Sequence, residues 1–442
     1  MLKEYKLLVV LVLLTAGIIC CCRSCQPRPI AVEEEEVVYT YRLNDSIRNA
    51  YSDDKAYERM ERYVRNWMAR NNLRGGTLSI MRNEKLIYSK GFGWADKELE
   101  RLVEAGDLFR IASASKLITA IGIMKLVDEG KLSTNATVFG PEGILNEYTE
   151  FKDKRVPKIT VRHLLTHTSG FSRRLGDPMF RSADLMSWTN KQTTLTAEDL
   201  ISWQLGLRLR DNPGGSAQYS NIGYLVLSCI IERVSGMSYE QYLQTHVLRP
   251  AGCYDMHIAR NYYEERYPRE VKYYGHDPGE VILSYDGSGA MRPREYGGNN
   301  ITGLQGAGAW VCSSAELLRL VAAIDGKPGV PDILSQRSIT EMKTVQRKGE
   351  FAYGWARTGG QTLTRTGTMS GTCAYVEYRP NGLSFVWIAN TSSYRGASFT
   401  NRIGHTIREA MSRVKTWPEE QDLFTSVPSV SPATVESQNQ GI

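Results

Sequence analysis

The sequence predicts an α+β fold, an α/β sandwich whose antiparallel sheet is flanked by N- and C-terminal helices and interrupted by an inserted helical subdomain. Three observations lead there. Alternating apolar stretches that read as hairpins lie near both ends of the chain. Helical periodicity precedes the first hairpin and follows the last. Between them the apolar pattern is helical, broken by long irregular loops. A sheet built from both chain ends with helices inserted leaves a cleft at the junction, where ligands generally bind.

At the amino terminus, Lys3 and Lys6 precede an apolar run from Leu7 to Cys22, which reads as a signal or membrane anchor over residues 1–25. Its length lies between a signal core and a spanning helix, leaving a cleaved signal, a retained anchor and a lipoprotein signal open. Cys20, Cys21, Cys22 and Cys25 are the candidates for lipidation. Each option exports the chain and places it in the cell envelope, on the periplasmic or extracellular side. Residues 26–51, acidic and polar, read as a tether.

The folded body is expected over residues 52–415. It opens on an amphipathic helix, with Tyr57, Met60, Tyr63, Val64 and Trp67 at three- and four-residue spacing. TLSIMRNEKLIYSKGFGW follows as a hairpin turning at Arg82-Asn83-Glu84-Lys85. The helical subdomain spans about 113–300 and includes KLITAIGIMKLVDEGKL, VRHLLTHTSG, AEDLISWQL and IGYLVLSCIIERVSG. GTCAYVEYRPNGLSFVWIANT gives the second hairpin and Phe399 to Val414 a closing helix. Residues 416–442, rich in Ser, Pro and Gln, read as a disordered tail.

Composition narrows the chemistry. The 54 basic and 48 acidic side chains form no concentrated basic arm, which argues against nucleic acid as a partner. Cys229, Cys253, Cys312 and Cys373 lack the close pairs of metal sites; they read as buried thiols, one disulfide being allowed. No phosphate loop, metal or cofactor is implied.

Ser113-Ala114-Ser115-Lys116 opens the first helix of the insert. Ser-x-x-Lys at helical spacing puts both side chains on one face, where the amine can take or hold the serine proton. Spacing alone is weak: Ser52 to Lys55 and Ser412 to Lys415 repeat it at positions expected to be exposed. Tyr219-Ser220-Asn221 is more specific, because no other of the 24 tyrosines is followed two residues later by asparagine. A tyrosine beside two cations can serve as a base, and an asparagine can hold a substrate amide. The triplet Arg-Thr-Gly occurs at Arg357 and again at Arg365-Thr366-Gly367.

In that order, Ser113-x-x-Lys116, Tyr219-x-Asn221 and a basic-Thr-Gly strand resemble the serine β-lactamase and penicillin-binding protein superfamily. ITVRHLLTHTSGF and Tyr353-Gly354-Trp355 are similar to its class C β-lactamase-like branch, which also holds D,D-carboxypeptidases, D-aminopeptidases and esterases. The resemblance covers Tyr57 to Val414 and implies a β-lactamase/transpeptidase-like fold. It implies Ser113 as the acylated nucleophile, Lys116 and Tyr219 in proton transfer, and Asn221, Arg365, Thr366 and Gly367 in substrate binding. It also implies an oxyanion hole from the Ser113 and Thr368 backbone amides. Gly367 is expected to let substrate lie along the strand edge, and Arg357 to be structural. Arg365 replaces the more usual lysine or histidine; as a planar cation it is expected to grip a substrate carboxylate. His167 is expected to support a turn. The implied activity is an acyl-enzyme serine hydrolase acting on amides of D-amino-acid peptides or β-lactams. An esterase, or a non-catalytic cell-wall-peptide binder, is the alternative. The implied partners are a small-molecule or peptide substrate carrying a carboxylate, and the membrane at the N-terminus.

Overall fold

The computed structural model describes residues 42–345, 349, 351–357 and 362–425. The expected anchor and most of the tether, residues 1–41, and the end of the tail, 426–442, lie outside the described residues. No helix among the described residues is long and apolar enough to cross a membrane.

Helix α1 (Glu58–Arg70) leads into strands β1 (Gly75–Arg82), β2 (Lys85–Asp96) and β3 (Arg101–Leu102), and then into α2 (Ser115–Asp128). Later come α3 (Asn221–Ser235) and α4 (Ser314–Ala322), then β4 (Ala356–Arg357), β5 (Leu363–Met369), β6 (Thr372–Tyr378), β7 (Leu383–Ala389) and α5 (Ala397–Met411). The sheet runs β3-β2-β1-β7-β6-β5-β4 and every pairing is antiparallel. The two chain ends meet at β1 and β7, where Leu78 faces Trp387 and Ile80 faces Phe385. Arg357 lies in strand β4, opposite Leu363.

The hairpin turn takes Asn83 and Glu84 at φ 49° and 61°, the positive pair that a two-residue turn needs to match the strand twist. On one face of the sheet α1 and α5 bury an aromatic core. Trp67 stacks on Phe399 at 5.8 Å and meets Trp387 edge-on at 5.4 Å. On the other face α4 is fixed by hydroxyls, with Ser314 Oγ 2.9 Å from Thr77 Oγ1 and 2.7 Å from Ser79 Oγ. Between sheet and subdomain runs α2, apolar nearly all round and buried along most of its length, as a central core helix must be.

The body is wider than its sequence boundaries. Within the expected tether, Leu43 and Ile47 are buried and Asn44 accepts a 2.6 Å hydrogen bond from Ser313 Oγ. Within the expected tail, Trp417 packs on Tyr57, and Leu423 and Phe424 are buried where the Leu423 amide reaches Leu86 O at 2.9 Å. These apolar residues are too sparse to show a period, yet they pack against the body. Ser52 is likewise buried rather than exposed, its Oγ bonded to the Ser89 backbone at 3.0 Å on both N and O, which removes it from chemistry. All four cysteines of the body are free thiols.

Candidate active site

Ser113 sits on a short 3-10 turn, Ala112–Ala114, one step before α2. Ala112 holds φ 47°, a left-handed conformation that costs an alanine energy and that the surrounding packing must impose. The packing is visible at β5: a Cβ on Gly367 would lie 2.0 Å from Ile111 O and 3.1 Å from the Ala114 amide. Gly367 therefore lets the nucleophile turn close against the strand, a need for glycine separate from the substrate path expected of it.

Lys116 lies in the first turn of α2, wholly buried. Its Nζ donates to Asn221 Oδ1 at 2.6 Å, to Ala307 O, and to Ser113 Oγ at 3.3 Å. The first two partners can only accept. When the amine is neutral they take its two N–H bonds, and the lone pair is left facing the Ser113 hydroxyl. Burial lowers the Lys116 pKa to about 8, the Arg365 charge adding to the fall and Tyr219 opposing it.

Tyr219 ends the loop before α3, whose first turn is capped by Ser220 Oγ on the Gly223 amide at 3.1 Å. Its Oη is 2.8 Å from Ser113 Oγ. Burial alone would raise its pKa, but the charges of Lys116 and Arg365 outweigh it and hold the phenol below its ordinary value. Ser113 Oγ thus lies within reach of two groups that can each accept its proton. Ser113, Tyr219, Asn221, Arg365, Thr366 and Thr368 line one cleft of about 420 Å³.

The family model for beta-lactamase matches residues 60–404 of this chain. The chain belongs to the beta-lactamase family. PbpX of Bacillus subtilis (strain 168) is 28% identical over 308 residues, 68% of this chain and 68% of that protein. Penicillin-binding protein 4* of the same strain is 27% identical over 56% of this chain, which spans 52% of that relative's length. Among solved structures, a D-amino acid amidase from Ochrobactrum anthropi SV3 shares the fold, with TM-score 0.62 at 21% identity over 82% of this chain and 100% of that one.

Two side chains of this beta-lactamase-family site that were expected to bind substrate make internal contacts. Arg365 is buried, with Nε on Ser113 O at 2.9 Å and Nη2 on Tyr219 Oη at 3.3 Å. Both contacts go to groups expected to be catalytic, so a two-pronged grip on a substrate carboxylate would first have to release Tyr219. Asn221 is bound at both ends of its amide, Oδ1 by Lys116 and Nδ2 by Asp177 Oδ2 at 2.7 Å. As folded, it orients the lysine.

Asp177 and the Ala307 carbonyl were not legible beforehand. Asp177 precedes Pro178, a sequence that marks a cap and nothing more, and it does cap the Met179 amide at 3.2 Å. A backbone carbonyl leaves no sequence signal at all. His167, at φ 60°, packs its ring 4.6 Å from that of Tyr219 and accepts the Ser220 amide on Nδ1 at 3.2 Å. Burial, with Arg365, Lys116 and Arg173 nearby, drives its pKa well below the ordinary value. It is a neutral support for the Tyr219 turn.

Proposed function

We propose that the protein is an exported serine hydrolase of the class C-like branch that cleaves amide bonds of D-amino-acid peptides or β-lactams through an acyl-enzyme on Ser113. The observation that carries this reading is the pair of hydrogen bonds converging on Ser113 Oγ, 2.8 Å to Tyr219 and 3.3 Å to a Lys116 whose other contacts are acceptors only. HLLTHTSGF and Tyr353-Gly354-Trp355 support the branch, and Lys3 and Lys6 before the apolar run support export with an N-terminal membrane attachment. The likeness to a D-amino acid amidase and to penicillin-binding protein 4* supports the substrate class.

Ser113 Oγ attacks the acyl carbon while its proton passes to the Lys116/Tyr219 pair, which titrates as a unit. The Oγ–C bond forms, the carbonyl electrons move onto oxygen, and the Ser113 and Thr368 amides take that charge. On collapse the C–N bond breaks and the pair returns the proton to the leaving nitrogen. Water then attacks the ester carbon, giving its proton to the pair; the C–Oγ bond breaks, the acid product leaves, and the pair returns the proton to Ser113 Oγ. Arg365 keeps Tyr219 acidic enough to take part and fixes the Ser113 carbonyl.

The test is labelling with a fluorescent penicillin and a fluorophosphonate. Covalent labelling that vanishes in Ser113→Ala is expected; failure of every acylating probe on the wild type would sink the enzyme reading. Hydrolysis of a β-lactam, a D-Ala-D-Ala peptide and a short ester, compared side by side, tests the amide preference.

A further inference from the structure

A second cavity, of about 810 Å³, lies beside the loop that carries Tyr219, with Gln218 in its wall. Lys152, Arg173, Arg174, Arg208 and Arg210 line it, and no aspartate or glutamate does. None of the five makes an ion pair with a carboxylate among the described residues. The two nearest acids in sequence are tied to other groups, although Asp211 also feels the charge of its neighbour Arg210. Asp153 binds Arg155 at 2.7 Å and the Leu209 amide at 3.0 Å. Asp211 accepts the Asn212 and Ser216 amides, each at 2.8 Å. Five like charges around one hollow repel one another and draw in anions.

The cavity touches the catalytic machinery. Gln218, in its wall, is the residue before Tyr219, and Arg173 Nη1 donates to Tyr219 O at 3.3 Å. Its wall also carries Leu175, 37% exposed, with Leu207 and Leu209. Cations interleaved with leucines suit a ligand that alternates carboxylates with aliphatic surface. A phosphate polymer would leave Leu175, the exposed leucine of the wall, facing water. The volume falls in the range of small-ligand sites, about 300–1,000 Å³. Four of the five cations are arginines, whose planar forks pair with carboxylates two bonds at a time.

We infer that this cavity is a subsite for the acidic side chains of a peptide substrate, so that the enzyme acts on anionic peptides in preference to neutral ones. The inference rests on the hydrolase reading and specifies its substrate. It also relocates recognition of substrate charge from Arg365, which the site engages internally, to a neighbouring basic wall.

The experiment uses two fluorescein-labelled pentapeptides ending in D-Ala-D-Ala, one with two glutamates and one with two glutamines in their place. Binding is read by anisotropy and turnover by product release. The proteins are wild type, Ser113→Ala, Arg174→Glu and the double variant Arg208→Glu/Arg210→Glu, with a neutral acyl ester as control substrate and thermal melting as the fold control. Expected is at least ~10-fold tighter binding of the glutamate peptide at low salt, an advantage that shrinks as salt screens it. The preference should be lost in both charge-reversal proteins while ester turnover stays at the wild-type rate. Equal affinity for the two peptides, or a preference that survives Arg208→Glu/Arg210→Glu, overturns the inference. So does inorganic polyphosphate competing as strongly as the glutamate peptide at matched charge. Cleavage without charge preference would remove the subsite and leave the hydrolase. Selective binding, retained by Ser113→Ala, with no cleavage by the wild type would do the reverse.

Discussion

Replacing Gly367 with alanine tests how the nucleophile is held. The added Cβ would lie 2.0 Å from Ile111 O, a backbone atom that no rotamer can move aside. Either β5 or the Ile111–Ala114 turn must retreat by about 1 Å, the scale at which misplacing a reacting group costs roughly 100-fold in rate. Overpacking of this kind also costs about 1–3 kcal/mol of stability. The assay is the second-order rate of Ser113 acylation by a fluorescent penicillin or fluorophosphonate, with thermal melting alongside. A ~100-fold slower acylation in a protein that still melts cooperatively is expected. Wild-type acylation by Gly367→Ala would refute the claim that the strand seats the nucleophile turn.

Lys116→Arg keeps the charge but cannot release a proton, so acylation should fall by about 10²–10⁴-fold. For the wild type the rate should rise as pH passes about 8, where the Lys116/Tyr219 pair loses a proton; a flat profile from pH 6 to 9 would contradict the assignment. Arg365→Ala should slow charged and neutral substrates alike, by about 10–100-fold, because its bonds go to Ser113 O and Tyr219 Oη. A loss confined to carboxylate-bearing substrates would restore a binding role. Glu316, buried on the Tyr254 and Asp255 amides, has its pKa raised by burial from 4.5 to about 8. Its folded form prefers the proton, so its stabilising effect is full below pH 4.5 and declines as pH rises through 8. Melting temperature should drop from pH 6 to pH 9, and less in Glu316→Gln; equal drops in both proteins would count against it.

The hairpins, the framing helices and the order of the motifs were legible because each is local. Period-two alternation before Arg82 and after Gly371 places strands, and a change to helical spacing at Tyr57 and Phe399 closes the sandwich. Ser113, Lys116, Tyr219 and Arg365 were legible as a set, from their order and residue types. Their partners were not. Asp177 and the Ala307 carbonyl meet the set only through contacts between distant segments, as do the apolar residues near Leu43 and Leu423 that extend the body.

By itself, then, the sequence determined which chemistry the chain carries: a hydroxyl, a lysine at helical spacing, a tyrosine and a cation, on a sheet made from both chain ends. Only the tertiary structure decided how each group is held there. Burial lowered the Lys116 pKa, two acceptors and the Ser113 hydroxyl surround its amine, and packing against Ile111 explained Gly367. It also turned Arg365 inward and left a separate basic cavity beside the site. The physical reason is that protonation and orientation depend on desolvation and on distances between residues a hundred or more positions apart, which periodicity and spacing along the chain do not record.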